Sequence, residues 1–128
     1  MLEILYEDNH IIAVNKRSGD IVQADETGDK PLGDFVKDYI KEKYQKPGEV
    51  FLGVVHRIDR PVSGVVLFAR TSKSLTRLNA LFQTKEIQKT YWCVVKNKPK
   101  EDAGTLIHFH LKDSIQRKAK LYDKEVAN

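Results

Sequence analysis

Apolar positions along this chain follow two rhythms, a short-range alternation and a three-to-four-residue recurrence. Leu2-Glu3-Ile4-Leu5-Tyr6 and Ile11-Ile12-Ala13-Val14 read as two short strands around an Asp8-Asn9 turn. Lys16-Arg17-Ser18-Gly19 reads as a second turn, and residues 23–30 form a polar loop. The rhythm then changes. Leu32, Phe35, Val36, Tyr39, Ile40 and Tyr44 recur at helical spacing, giving one apolar stripe. Pro31 suits the first helical position, Asp29 favours the positive end of the dipole, and Pro47-Gly48 ends the helix. The two tyrosines on that stripe belong to a core-facing side rather than to a base-stacking surface.

Two continuous apolar runs follow, residues 51–55 (Phe-Leu-Gly-Val-Val) and 65–69 (Val-Val-Leu-Phe-Ala). Their length and β-branched content predict buried strands. Ser72 is the expected N-cap of a second helix, with Leu75, Leu78, Leu81 and Phe82 on its buried side. Residues 90–95 predict a strand with Tyr91, Cys93 and Val95 on one face, and Trp92 and Val94 on the other. Residues 105–111 alternate well enough for one more strand. Residues 112–128 are mixed and polar, with a weak apolar cluster at Leu121-Tyr122. Strands joined by short turns and interrupted by two helices predict an α+β fold: a mixed, mostly antiparallel sheet with flanking helices. No repeat, low-complexity block or interdomain linker interrupts the pattern.

Composition adds bounds. With 128 residues the chain is one domain or less. No apolar run approaches membrane-spanning length and no signal peptide opens the chain. Cys93 is the sole cysteine, which excludes an intramolecular disulfide, suits a reducing compartment and makes cytoplasmic the expected location. Its place in an alternating run predicts a small buried hydrophobe.

The net charge of +4 is modest, but it is unevenly spread. Residues 1–55 hold seven basic and eleven acidic groups. Residues 56–98 hold nine basic groups against only Asp59 and Glu86, and residues 99–128 hold six against five. A local basic excess of this kind suits a polyanionic partner through phosphate neutralisation. A solvated helix face explains Lys73, Arg77 and Lys85 equally well.

Between the two apolar runs stands His56-Arg57-Ile58-Asp59-Arg60-Pro61-Val62-Ser63-Gly64. A lone carboxylate, Asp59, lies between two arginines where one strand ends and the next begins. Neighbouring positive charge favours an ionised carboxylate, and an ionised aspartate in a basic setting suits nucleophilic attack beside an anionic substrate. The alternative is a surface ion-pair cluster of little energetic consequence. Histidine 56 has two readings as well, a proton shuttle or a residue that orients the turn. His108 and His110 share one face of a strand, but zinc needs further ligands, so no metal site is expected. No glycine-rich phosphate loop is present, and no cofactor is implied.

The whole string closely resembles the His-Arg-Leu-Asp-x-x-x-Ser-Gly signature of the RluA-type pseudouridine synthases, RNA-modifying isomerases. Two further segments match in order. Tyr6-Glu7-Asp8-Asn9-His10-Ile11-Ile12-Ala13-Val14-Asn15-Lys16 resembles the family's opening motif, and Lys89-Thr90-Tyr91-Trp92-Cys93-Val94-Val95 its Lys-x-Tyr strand motif. The resemblance implies that Asp59 is the catalytic nucleophile. It implies that Tyr91 stacks on the flipped base, for which plain core packing is the alternative. It makes Arg57 a holder of the flipped-out RNA, and Arg60 and Lys89 further RNA contacts. The implied partner is tRNA or large-subunit rRNA, with no membrane and no metal.

Two departures qualify the resemblance. Arg17 stands where the family usually has proline, which removes turn rigidity or adds a phosphate contact. The family's later Gly-Arg-x-His-Gln-Ile-Arg motif has no counterpart here. The expectation is therefore the N-terminal portion of a catalytic domain over residues 1–128, with no separate N-terminal RNA-binding domain. An inactive fragment acting only as an RNA-binding module is the alternative.

Overall fold

A computed structural model describes residues 1–127, which fall into two compact units, residues 1–90 and residues 91 onward. The first unit holds strands β1 (Ile4–Glu7) and β2 (Ile11–Lys16), helix α1 (Leu32–Lys43), strands β3 (Gly53–Val54) and β4 (Gly64–Ala69), and helix α2 (Ser72–Gln83). Its four strands form one antiparallel sheet in the order β1-β2-β4-β3. Chain order and spatial order differ in that β4 pairs with β2 and β3 lies on the outer side of β4. The Asp8 carboxylate accepts the His10 and Ile11 amides at 2.7 and 2.8 Å, which closes the β1–β2 turn.

Alternation decides which side chains face α1. Ile12 and Val14 of β2 and Val66 and Phe68 of β4 are fully buried against Leu32, Val36 and Ile40 of α1, with Val22 from the loop. The β2–β4 register runs from Ile11 opposite Ala69 to Lys16 opposite Gly64. Only part of the α1 stripe is core, since Phe35 and Tyr44 are roughly half exposed. Pro31 is the N-cap rather than the first helical residue, because its ψ of 156° is extended. The helix stops at Lys43, short of Pro47-Gly48, and Gln45 takes a left-handed φ of 47°. The Tyr39 hydroxyl donates to the Glu7 carboxylate at 2.8 Å and Lys43 lies 3.1 Å away, which ties the helix to β1.

Helix α2 packs on β3 and β4. Its N-cap is Thr71, one residue before the expected Ser72, and Thr71 and Ser74 form a reciprocal capping box. Leu75, Leu78 and Phe82 are half-buried, while Leu81 is exposed. Gly53 lets the helix approach, since a Cβ there would lie 2.8 Å from Leu75 Cδ1 and 3.2 Å from Ala69 Cβ.

The second unit contains one antiparallel hairpin, β5 (Phe109–Asp113) with β6 (Lys118–Tyr122). The Asp113 carboxylate accepts the Ile115 and Gln116 amides, and Arg117 adopts a φ of 53° to complete the turn. Two expectations differ here. Residues 90–95 form no strand and Cys93 is exposed, because no neighbouring strand pairs with them among the described residues. The 105–111 strand starts only at Phe109, and its partner β6 lies in the segment read as mixed and polar. The sheets are wholly antiparallel, so the mixed pairing is not found among the described residues, while the α+β class holds. No helix among the described residues is long and apolar enough to cross a membrane.

Candidate active site

Strand β3 ends at Val54 and β4 begins at Gly64, so the aspartate motif is the loop that joins two hydrogen-bonded neighbours of the sheet. Ile58 points inward and packs against the core, which leaves Arg57 and Asp59 on either side of it facing outward and exposed. The Val62 amide donates to the Asp59 carbonyl at 2.9 Å, tightening the turn just after the carboxylate. Gly64 then starts β4 at a φ of 137°, a conformation that a residue with a Cβ rarely adopts.

Arg60 does not turn toward Asp59. Its guanidinium donates to the Gly19 carbonyl, to Thr27 Oγ1 and to Asp29 at 3.0–3.1 Å, and lies 3.6 Å from Asp25. The carboxylates that neutralise it come from the polar loop after β2, more than thirty residues away in sequence, which local reading did not reach. Arg17, at the position of the missing proline, pairs with Asp20 at 3.1 Å on the surface.

Sequence reasoning missed Lys16. Its side chain is fully buried, and Nζ donates to the carbonyls of Arg17, Asp20 and Arg60 at 3.0, 2.7 and 3.0 Å. Burial pulls its pKa below the ordinary lysine value, against the opposing pull of Asp20 and Asp59. The signal was present in the alternation: Ile12, Val14 and Lys16 share one face of β2, the face that meets the core.

His56 closes the other side of the loop. Its Nε2 accepts the Leu67 amide of β4 at 2.9 Å, which requires the neutral ring with the proton on Nδ1, and the ring stacks on Phe82 of α2 at 5.0 Å. These contacts tie the ring to β4 and α2, as a turn-orienting residue requires. Lys89 lies 6.0 Å from the Phe82 ring and adds its charge to the environment of His56. Tyr91 belongs to the second unit, where it is 61% exposed rather than packed in a core.

Residues 10–127 match the family model described as RNA pseudouridylate synthase. The chain belongs to this family. Its relatives include the tRNA pseudouridine synthase C of Vibrio cholerae, 32% identical over 125 residues that make up 98% of this chain and 48% of the relative. The ribosomal large subunit pseudouridine synthase C of Buchnera aphidicola subsp. Schizaphis graminum is 36% identical over 126 residues, 95% of this chain and 38% of the relative. The solved structure of human RNA pseudouridylate synthase domain containing 4 superposes with a TM-score of 0.55 at 25% identity, over 66% of this chain and 30% of that one. The chain therefore spans about half the length, or less, of the curated relatives it matches.

His56 carries a testable pH dependence. Burial, then the Lys89 charge, hold its pKa below the ordinary 6.5. The unfolded state thus binds the proton first, so stability falls as pH drops below about 6.5 and levels off once the folded-state value is passed. Protonation also removes the acceptor used by the Leu67 amide. Melting temperature measured between about pH 7.5 and pH 5 should decline in the wild type. His56→Ala should lower stability by about 1 kcal/mol at neutral pH and flatten that decline.

Proposed function

We propose that this chain carries the nucleophile-bearing part of an RNA pseudouridine synthase, an isomerase that converts uridine to pseudouridine in tRNA or large-subunit rRNA. The observation that carries the reading is Asp59: an exposed carboxylate on a loop whose neighbours are fixed from beneath by buried or half-buried side chains. The reaction breaks the glycosidic C–N bond, turns the uracil, rejoins it through C5 and releases the proton from that carbon. A uridine inside folded RNA is out of reach, so the nucleotide is flipped into the site.

In this reading Asp59 attacks the nucleotide as an ionised carboxylate and leaves again when the C–C bond has formed. Tyr91 supplies a platform for the flipped base, where stacking contributes about 1–3 kcal/mol. Arg57 and Lys89 are exposed and contact phosphates. Arg60 reaches a phosphate only by exchanging Asp25 and Asp29 for it, so its contribution is smaller than its charge suggests. No metal or cofactor takes part, and the cytoplasm, where both RNA classes reside, is the place of action.

Pseudouridine formation on tRNA and rRNA transcripts tests the reading. Product establishes a synthase, whereas salt-sensitive binding without product makes the chain an RNA-binding module. Arg57→Ala and Lys89→Ala should each weaken RNA binding across sequences. Each should also lower the slope of log K against log salt by about 0.7, the counterion release expected for one phosphate contact on a single strand. An unchanged slope removes that residue from the interface.

A further inference from the structure

We propose that Lys16 is a positioning residue for the Asp59 nucleophile, acting by clamping the Arg60 carbonyl from inside the core. The inference rests on the synthase reading of Asp59 and names a residue through which that site is held.

Lysine is a costly choice for a fully buried position, because a buried ammonium must satisfy every donor it carries. Lys16 has three N–H donors and three backbone carbonyl partners, those of Arg17, Asp20 and Arg60. Two of these lie in the turn directly after β2. The third lies 44 residues away, one residue past Asp59. Fold closure alone has no need of it, since β2 and β4 already pair along six residues.

The consequence falls on the backbone around the carboxylate. The Arg60 carbonyl also accepts the Gly19 amide at 2.8 Å, so both of its lone pairs are engaged. The Asp59 carbonyl in turn accepts the Val62 amide. Two consecutive peptide planes after the Asp59 Cα are thereby held, while its carboxylate has no hydrogen bond or ion pair among the described residues. Lys16 stands opposite Gly64 in the β2–β4 register, at the end of the sheet where the loop returns, and four methylenes carry its charge to the loop. Asp59 is among the charges that favour the protonated form of Lys16. Misplacing a reacting group by about 1 Å can cost on the order of 100-fold in rate, which gives such a clamp a catalytic consequence without any contact to substrate.

Amide hydrogen exchange and steady-state turnover of the full chain test the proposal together, comparing wild type, Lys16→Met and Lys16→Arg. In Lys16→Met the Gly19 and Val62 amides should exchange at least tenfold faster, with the β2–β4 ladder amides within twofold of wild type. Turnover number should fall at least tenfold with KM within threefold, and Lys16→Arg, which retains charge and donors, should recover part of both. Unchanged loop exchange, or loop and ladder rising alike, overturns the clamp. Product from wild type with an undiminished turnover number in Lys16→Met overturns the role of Lys16 alone, whereas no product from wild type overturns the synthase reading itself. Should Lys16→Met fail to fold, the wild type still decides. Its Lys16 ammonium protons should exchange slowly enough to give a resolved NMR signal coupled to the Arg60 carbonyl, and a rapidly exchanging ammonium overturns the proposal.

Discussion

Asp59→Asn should abolish pseudouridine formation and the covalent RNA adduct while leaving the fold and RNA binding in place. Asparagine matches aspartate in size, so the difference is one of charge and nucleophilicity alone. The bonds that shape the loop run through the backbone carbonyls of Asp59 and Arg60 and through Lys16, Ile58 and His56, none of which uses the Asp59 carboxylate. Thermal stability should stay within about 0.5 kcal/mol of wild type, as for an exposed substitution away from special features. Removing a negative charge from the basic stretch should leave RNA affinity equal or slightly higher. Activity should fall by at least about 10³-fold, because in the mechanism proposed above an amide cannot form the covalent intermediate. Turnover by single-time-point digestion of RNA, with the adduct followed on a denaturing gel, measures both. Retained turnover in Asp59→Asn places the nucleophile elsewhere.

Such a clean separation of chemistry from stability was legible in the sequence only in part. The α1 stripe and the apolar runs around the motif announced Val36, Ile40, Val66 and Phe68 as core, because burial there follows simple periodicity. The Asp59 motif was legible because its residues are contiguous. What surrounds it is not. Arg60 sits next to Asp59 in sequence, yet its guanidinium finds Asp25 and Asp29, since a loop tethered at Ile58 turns alternate side chains in different directions. Lys16 was passed over because a charged residue at a strand end reads as surface, although its parity with Ile12 and Val14 marked it as inward. Strand β6 was hidden in the same way, since lysines at 118 and 120 dilute a pairing that depends on backbone bonds to β5. The reverse error came at residues 90–95. Their alternation is that of a strand, but a strand exists only with a neighbour to receive its hydrogen bonds.

Phe68→Ala should be the most damaging single substitution for the first unit, and its effect should look unlike that of Asp59→Asn. Phe68 is fully buried on β4 and pairs with Ile12 of β2 on one side and Val54 of β3 on the other. Its ring also lies 3.7 Å from where a Cβ of Gly33 would stand, so it fills the space between the sheet and α1. Truncation removes a phenyl group from a close-packed interior and leaves a cavity, at about 3–5 kcal/mol. Against a total stability of roughly 5–15 kcal/mol, that is a large share. For a unit of this size it corresponds to a fall in melting temperature of about 15–30 °C. Far-UV circular dichroism is the right probe, because the single tryptophan, Trp92, lies in the second unit and is 95% exposed. Phe68→Leu, which retains most of the buried volume, should lose much less. The functional consequence follows from connectivity: the loop bearing Asp59 hangs between β3 and β4, and Phe68 is the residue of β4 that pairs with β3 next to its end. Loosening that pair frees the β3 end of the loop, so RNA binding and turnover should fall together with the melting transition. If turnover at low temperature survives a 15 °C fall in melting temperature, the site is held by the Lys16 and His56 contacts alone and the core beneath β4 is dispensable to it.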